Sequence, residues 1–207
     1  MAAEDAAPAF AEAAADDGIV LAAQHTFDWY TEAGHLGLES AAMERRDPSL
    51  REPVTAAVEA LTTIYDRLKG DPVVLRSLRL NYLISVDLVH EPTGTVIELD
   101  ESAHFTSFRL KALDLYPADT ALGFDLDEYR RLCGEWASKS DNVDRAFAAK
   151  GFGFGGRQRE RAYRGALLDL GAPAMGLPPV TRIVALDGDG AAAYSRERER
   201  ITNLLAG

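Results

Sequence analysis

The stretch from Leu80 to Asp100, LNYLISVDLVHEPTGTVIELD, restricts the folds open to this chain more than any other. Its two halves are rich in β-branched and aliphatic residues, and Pro92-Thr93-Gly94 breaks them apart. The pattern predicts two strands, Leu80–Val89 and Thr95–Asp100, joined as a hairpin. Strand side chains alternate between faces. In the first strand Ile84, Val86 and Leu88 share one face, and Asp87 and Val89 the other. In the second, Ile97 and Leu99 share a face opposite to Val96, Glu98 and Asp100. A loop over Glu91–Gly94 sets His90 against Thr95 and Asp87 against Glu98. A shorter loop at Thr93-Gly94 sets Asp87 against Asp100. Either register gathers Asp87, Glu98 and Asp100 on one face, whereas an odd-length loop separates them.

Like charges directly opposed across a sheet are destabilising, so three clustered acids need a physical reason. A bound divalent cation is one. Mg²⁺ (or Mn²⁺) is commonly held by one or two carboxylates plus waters and substrate phosphates, and it can polarise a phosphodiester and activate a water. Asp87, Glu98 and Asp100 are the candidate metal ligands. His104 follows shortly after Asp100 and can carry a proton near neutral pH. The plainer reading is a strand whose acids face water beside a structural histidine.

Elsewhere the pattern is mainly helical. Residues 1–17 are rich in Ala and acids and read as a helix or frayed tail. A helix is expected over Leu38–Arg45, while Trp29 and Tyr30 read as packing residues. Pro53 opens a helix in which Val54, Val58, Leu61, Ile64, Tyr65 and Leu68 make one apolar stripe, with Gly70 as its stop. Residues 105–150 read as polar helices, firmest over Asp127–Trp136. KGFGFGG (150–156) is a Gly-rich loop, followed by a basic helix over Arg157–Leu170. Val180–Leu186 reads as a strand and Ala191–Leu205 as a charged last helix. The fold class is therefore α/β, a small mixed β-sheet flanked by helices, with a helical insertion at about 105–156 after the second hairpin strand. Residues 1–51 are expected to form a partly flexible helical extension to one domain over 52–207.

The 207 residues carry a formal net charge of −11, which repels nucleic acid and membrane alike unless a local basic patch intervenes. The single cysteine, Cys133, excludes an intrachain disulfide and a cysteine zinc site. The N-terminus carries acids where a signal peptide has basic residues, and its longest apolar run, Ile19–Ala23, is too short to span a membrane. A cytoplasmic protein is expected. The basic patch is supplied by Lys150, Arg157, Arg159, Arg161 and Arg164, where a Gly-rich loop meets a helix N-terminus suited to phosphate; Phe152 and Phe154 could stack on bases. The alternative is a solvated helix face. GFGFGG lacks the βαβ setting of a dinucleotide fingerprint, and Ser102 and Ser107 lack a nucleophile elbow. DGDG (187–190) lacks the length and final Glu of a calcium loop and reads as a turn. The charged last helix could also serve homo-oligomerisation.

VDLVHEPTGTVIELDESAHF resembles the core of the restriction-endonuclease-like PD-(D/E)xK superfamily, most closely its branch of very-short-patch-repair-like endonucleases and uncharacterised bacterial relatives. Asp87, Glu98, Asp100 and His104 fill that branch's pattern of an Asp ending one strand, E-x-D on the next and a following His. Glu59 matches a Glu often found on the preceding helix. The resemblance implies metal-dependent cleavage of DNA. Asp87 and Glu98 would ligate Mg²⁺, Asp100 would help position metal or water, Glu59 would support from behind, and His104 would handle a proton. Arg157, Arg161 and Arg164 would hold the phosphate backbone. An enzyme that has kept the fold and lost the reaction, leaving a binding or scaffold protein, is the alternative. Val86 stands where the superfamily has Pro, Asp100 where it has Lys, and Glu101 where Gly is usual. QRERAYRGALLDLG (158–171) resembles the branch's Arg-Asp helix, with Gly165 in place of the Asp.

Overall fold

A strand with acids on one face and aliphatics on the other needs two different covers, and the fold supplies both. The computed structural model describes residues 6–206. The elements run α1 (Ala6–Ala15), β1 (Ala22–Ala23), β2 (Thr26–Thr31), α2 (His35–Arg45), α3 (Arg51–Arg67), α4 (Pro72–Leu75), β3 (Leu83–Ser85), β4 (Leu88–His90), β5 (Thr95–Asp100), α5 (Ser107–Leu113), α6 (Leu126–Ser140), α7 (Arg157–Ala174), β6 (Thr181–Val184) and α8 (Gly190–Leu205). Four strands form a mixed sheet in the order β1-β4-β5-β6, with β6 parallel to β5 and the other pairs antiparallel. β2 and β3 pair separately. This is the small mixed α/β sheet flanked by helices that the sequence implies.

The hairpin register follows the longer loop. His90 pairs with Thr95, Val89 with Val96 and Leu88 with Ile97, which brings Asp87 opposite Glu98. Gly94 closes the loop at φ +71, a conformation that suits a residue without Cβ, with its N–H on the His90 carbonyl. The first strand is not continuous. The chain leaves β2 as its partner after Ser85 and takes up β5 at Leu88, with Val86 N–H bonded to the His25 carbonyl at the joint. That change of partner breaks the expected alternation. Val86 and Val89 enter one core while Leu88 enters the other.

Leu88, Ile97, Leu99 and Ile183 pack under α1 and α8, where Phe10 meets Tyr194 edge to face at 5.3 Å. Val89, Val96 and Val180 share a core with α7, which is flanked by α3 and α5. The N-terminal region is thus part of the domain rather than an extension. β1 adds a sheet strand, α1 covers one sheet face, and Trp29 is fully buried. Residues 1–5 of the expected tail lie outside the described residues. Residues 105–156 carry α5 and α6, with α5 packed against both α6 and α7, and their last part, 141–156, runs through turns.

The α1–α8 contact leaves no space at Gly190. A Cβ there would lie 1.9 Å from the Ala6 carbonyl oxygen and 2.8 Å from the Phe10 nitrogen. Gly190→Ala should therefore lower stability by about 1–3 kcal/mol, the usual cost of overpacking. Thermal unfolding measures it, and an unchanged melting temperature would contradict the docking of α1 on α8.

Candidate functional site

Parallel pairing of β5 with β6 brings Glu98 beside Arg182. Arg182 points to the carboxylate face and is almost completely buried, at 4% exposure. A buried cation needs partners with good geometry, and Arg182 has two. Its Nη1 lies 3.1 and 3.0 Å from the two oxygens of Asp100, and its Nε donates to Asp169 Oδ1 at 2.7 Å. Asp169, buried on α7, accepts at its other oxygen from Arg109 Nη2 and from the Tyr116 hydroxyl, both at 2.7 Å. The Tyr129 hydroxyl donates to Asp100 Oδ2 at 3.1 Å. Two arginines and two aspartates thus balance in one network that ties β5, β6, α5, α6 and α7 together. Burial pushes the Asp100 carboxyl upward, but the Arg182 charge, helped by Arg109, outweighs it and holds it below the ordinary value.

Asp87 and Glu98 make a different arrangement. Asp87 N–H donates to Glu98 Oε1 at 3.0 Å, and Leu99 N–H donates to Asp87 Oδ2 at 2.9 Å. Side chains here replace ladder bonds just before β4 begins. Burial, and next the Asp87 charge, raise the Glu98 carboxyl to about 8, which favours its protonated form around neutral pH. His104 Nδ1 accepts from Glu101 N–H at 3.0 Å, which leaves the ring proton on Nε2. Burial also lowers its basicity and favours the neutral ring.

Glu98, Asp100, His104 and Arg182 form one wall of a cavity of about 160 Å³; Arg157, Glu160, Arg161 and Arg164 from α7 form the other, and Tyr30, Ile84 and Gly165 complete it. At ~30 Å³ per water this is room for about five waters, enough for one small anionic group. Glu160 bridges Arg157 at 3.0 Å and Arg164 at 2.7 Å, and Arg161 pairs with Asp144 at 3.1 Å. One carboxylate between two guanidiniums leaves the α7 wall locally cationic.

The structure sorts the expected residues. Glu98, Asp100, His104, Arg157, Arg161 and Arg164 come together around the cavity. Asp87 sits behind Glu98 and does not line it. Glu59 is exposed on α3 and bears on none of this, because the apolar stripe of α3 turns it to solvent. Arg159 turns away and donates to the Phe152, Phe154 and Leu68 carbonyls. Lys150 pairs with Glu32 at 3.0 Å. Phe152 is buried against Tyr65 and Tyr163, so only Phe154 remains open for stacking. Among the described residues no group of three or more His, Cys, Asp and Glu side chains is arranged to hold a metal ion. The expected trio does not fit one, because both oxygens of Asp100 face Arg182.

Arg182, Asp169, Arg109 and Tyr30 escape the sequence reading. The signal for two of them is a charge inside an apolar run: Arg182 in TRIV and Asp169 in ALLDLGAPA. Such charges are buried only when paired. Gly165 has a packing reason. A Cβ there would lie 2.8 Å from Arg109 Nη1, and Asp169, one turn further on, supplies the carboxylate.

The model of DUF7255, a family of unknown function, matches residues 63–205. The chain belongs to that family. No curated protein and no solved structure matches it. The DUF7255 match takes in the whole Arg109–Asp169–Arg182–Asp100 network and every cavity residue except Tyr30; Glu59, β1 and β2 precede it.

The raised Glu98 carboxyl fixes a pH dependence. Between its ordinary 4.5 and about 8 the unfolded chain releases a proton that the folded chain keeps. Stability should fall as pH rises through that window and level off above it. Chemical unfolding from pH 5 to 9 should show the fall in wild type and its loss in Glu98→Gln. Identical profiles would contradict the assignment.

Proposed function

We propose that this DUF7255 chain is a phosphate-binding domain of the restriction-endonuclease-like kind, one that holds a nucleic-acid backbone phosphate in the arginine-walled cavity without cleaving it. One observation carries the reading. The Arg182 guanidinium occupies both oxygens of Asp100, the carboxylate that a hydrolytic site here would need to help position the metal or its water. The cavity presents groups that suit an anion instead. Arg161 and Arg164 are half-buried, the His104 Nε2–H is a donor, and Glu98 holding its proton is another. Guanidinium–phosphate hydrogen bonds are charge-assisted and among the stronger ones available. A cavity of about 160 Å³ has room for a phosphate group, and a longer ligand would extend beyond it.

Metal-dependent cleavage of DNA is the second reading, favoured by the Asp87–Glu98 pair. Two carboxylates are within the usual complement for Mg²⁺, which would supply polarisation of the phosphodiester and an activated water.

Calorimetric titration with inorganic phosphate and a 5′-phosphorylated dinucleotide at pH 7 distinguishes these. Binding should weaken about tenfold or more in Arg161→Ala/Arg164→Ala, on the scale of charge-assisted bonds. It should also weaken as Glu98 ionises towards pH 9. No binding by folded wild type would refute the proposal. Cleavage of DNA with Mn²⁺ that is abolished in Glu98→Ala would replace it with the second reading.

A further inference from the structure

A second basic feature lies beside the cavity. A groove of about 700 Å³ runs between the C-terminal end of α3, α5, and the loops before and after Phe154. Arg67, Lys69, Lys111 and Arg145 line it, all four exposed, and none has an ion-pair partner among the described residues. The only acid in its lining, Asp141, is engaged by the Ser107 N–H at 2.9 Å. In a chain of net charge −11 this is a local reversal of sign.

Phe154 makes the groove more than a cationic patch. Its ring is 81% exposed at the groove edge. It stands between Gly153 and Gly155, both at positive φ, in a loop that Arg159 fastens by bonds to the Phe152 and Phe154 carbonyls. An aromatic ring presented to solvent on a braced loop has no packing role in the fold. Aromatic rings beside a row of cations are the pattern by which single strands are held: the cations track phosphates and the ring stacks on a base. In a duplex the base faces are already stacked on one another, so such a ring finds no partner there.

We infer that this groove binds single-stranded nucleic acid, with Phe154 stacking on a base and Arg67, Lys69, Lys111 and Arg145 following the backbone. Gln158 on α7 lines the groove and also a narrow gap shared with Asp100, His104 and Arg161. A strand in the groove therefore leads towards the cavity. The inference rests on the phosphate reading only for that continuation; the groove stands on its own residues.

Fluorescence anisotropy with a labelled oligothymidine of about 15 nucleotides, against the same length of duplex, tests it. In ~50 mM salt the single strand should bind at least tenfold more tightly than the duplex. Phe154→Ala should weaken it about tenfold with an unchanged melting curve, because one base loses its stacking partner. Four phosphate contacts give a slope of log affinity against log salt near −3, which Lys111→Glu/Arg145→Glu should reduce to about −1.4 or less. The inference is overturned by any of four results: no binding by wild type, equal or tighter binding of duplex, equal competition by polyglutamate, or an unaffected Phe154→Ala variant. Oligonucleotide binding that survives Arg161→Ala/Arg164→Ala, with no phosphate titration in wild type, would sink the cavity reading and leave the groove.

Discussion

The Arg182 guanidinium, fixed between Asp100 of β5 and Asp169 of α7, is the contact on which the rest of the molecule depends. A strand face bearing Glu98 and Asp100 cannot be covered by an ordinary apolar helix, since an unpaired buried charge is prohibitively costly. α7 covers it because the neighbouring parallel strand supplies a cation at the right register and α7 itself supplies the second carboxylate. Arg109 and Tyr116 then satisfy the outer oxygen of Asp169, which fixes α5 against α7. Removing one member leaves its partners buried and uncompensated, although an apolar core of the same shape could be as stable.

The same contact determines what the site can do. With Asp100 neutralised by Arg182 and the Glu98 carboxyl pushed towards its protonated form, much of the negative charge expected on the hairpin is removed. What faces the cavity is mainly a set of donors, guanidiniums, an imidazole N–H and a carboxylic acid, with the Glu160 carboxylate held between Arg157 and Arg164. The sign of the site is the reverse of what three clustered acids suggest, and this reversal supports an anion rather than a cation as ligand.

Much of the fold was legible in the sequence. TVIELD is β5 to the residue, the loop Glu91–Gly94 sets the anticipated register, and the basic helix, last strand and last helix fall where their periodicity places them. Periodicity reports local geometry, and these elements are locally determined. It could not show that the chain changes partner at Val86-Asp87, nor that Ala22–Ala23 pairs with β4, because both depend on distant strands. The candidate site was legible by residue but not by role. Glu98, Asp100 and His104 do share a cavity, yet Arg182 lies far along the chain from them. Its pairing arises only when β6 docks beside β5. Glu59 shows the converse: a matching residue type on the expected helix, turned to solvent by that helix's own apolar stripe.

Denaturant unfolding of Arg182→Met at pH 7 reads how far the fold depends on this guanidinium. Methionine keeps most of the volume and removes the charge that Asp100 and Asp169 share. A loss of about 3–5 kcal/mol against wild type is expected, the cost of breaking a buried ion network by removing one partner. Stability within about 0.5 kcal/mol of wild type, the range of ordinary surface substitutions, would contradict the account and return Asp100 to the role of an open carboxylate.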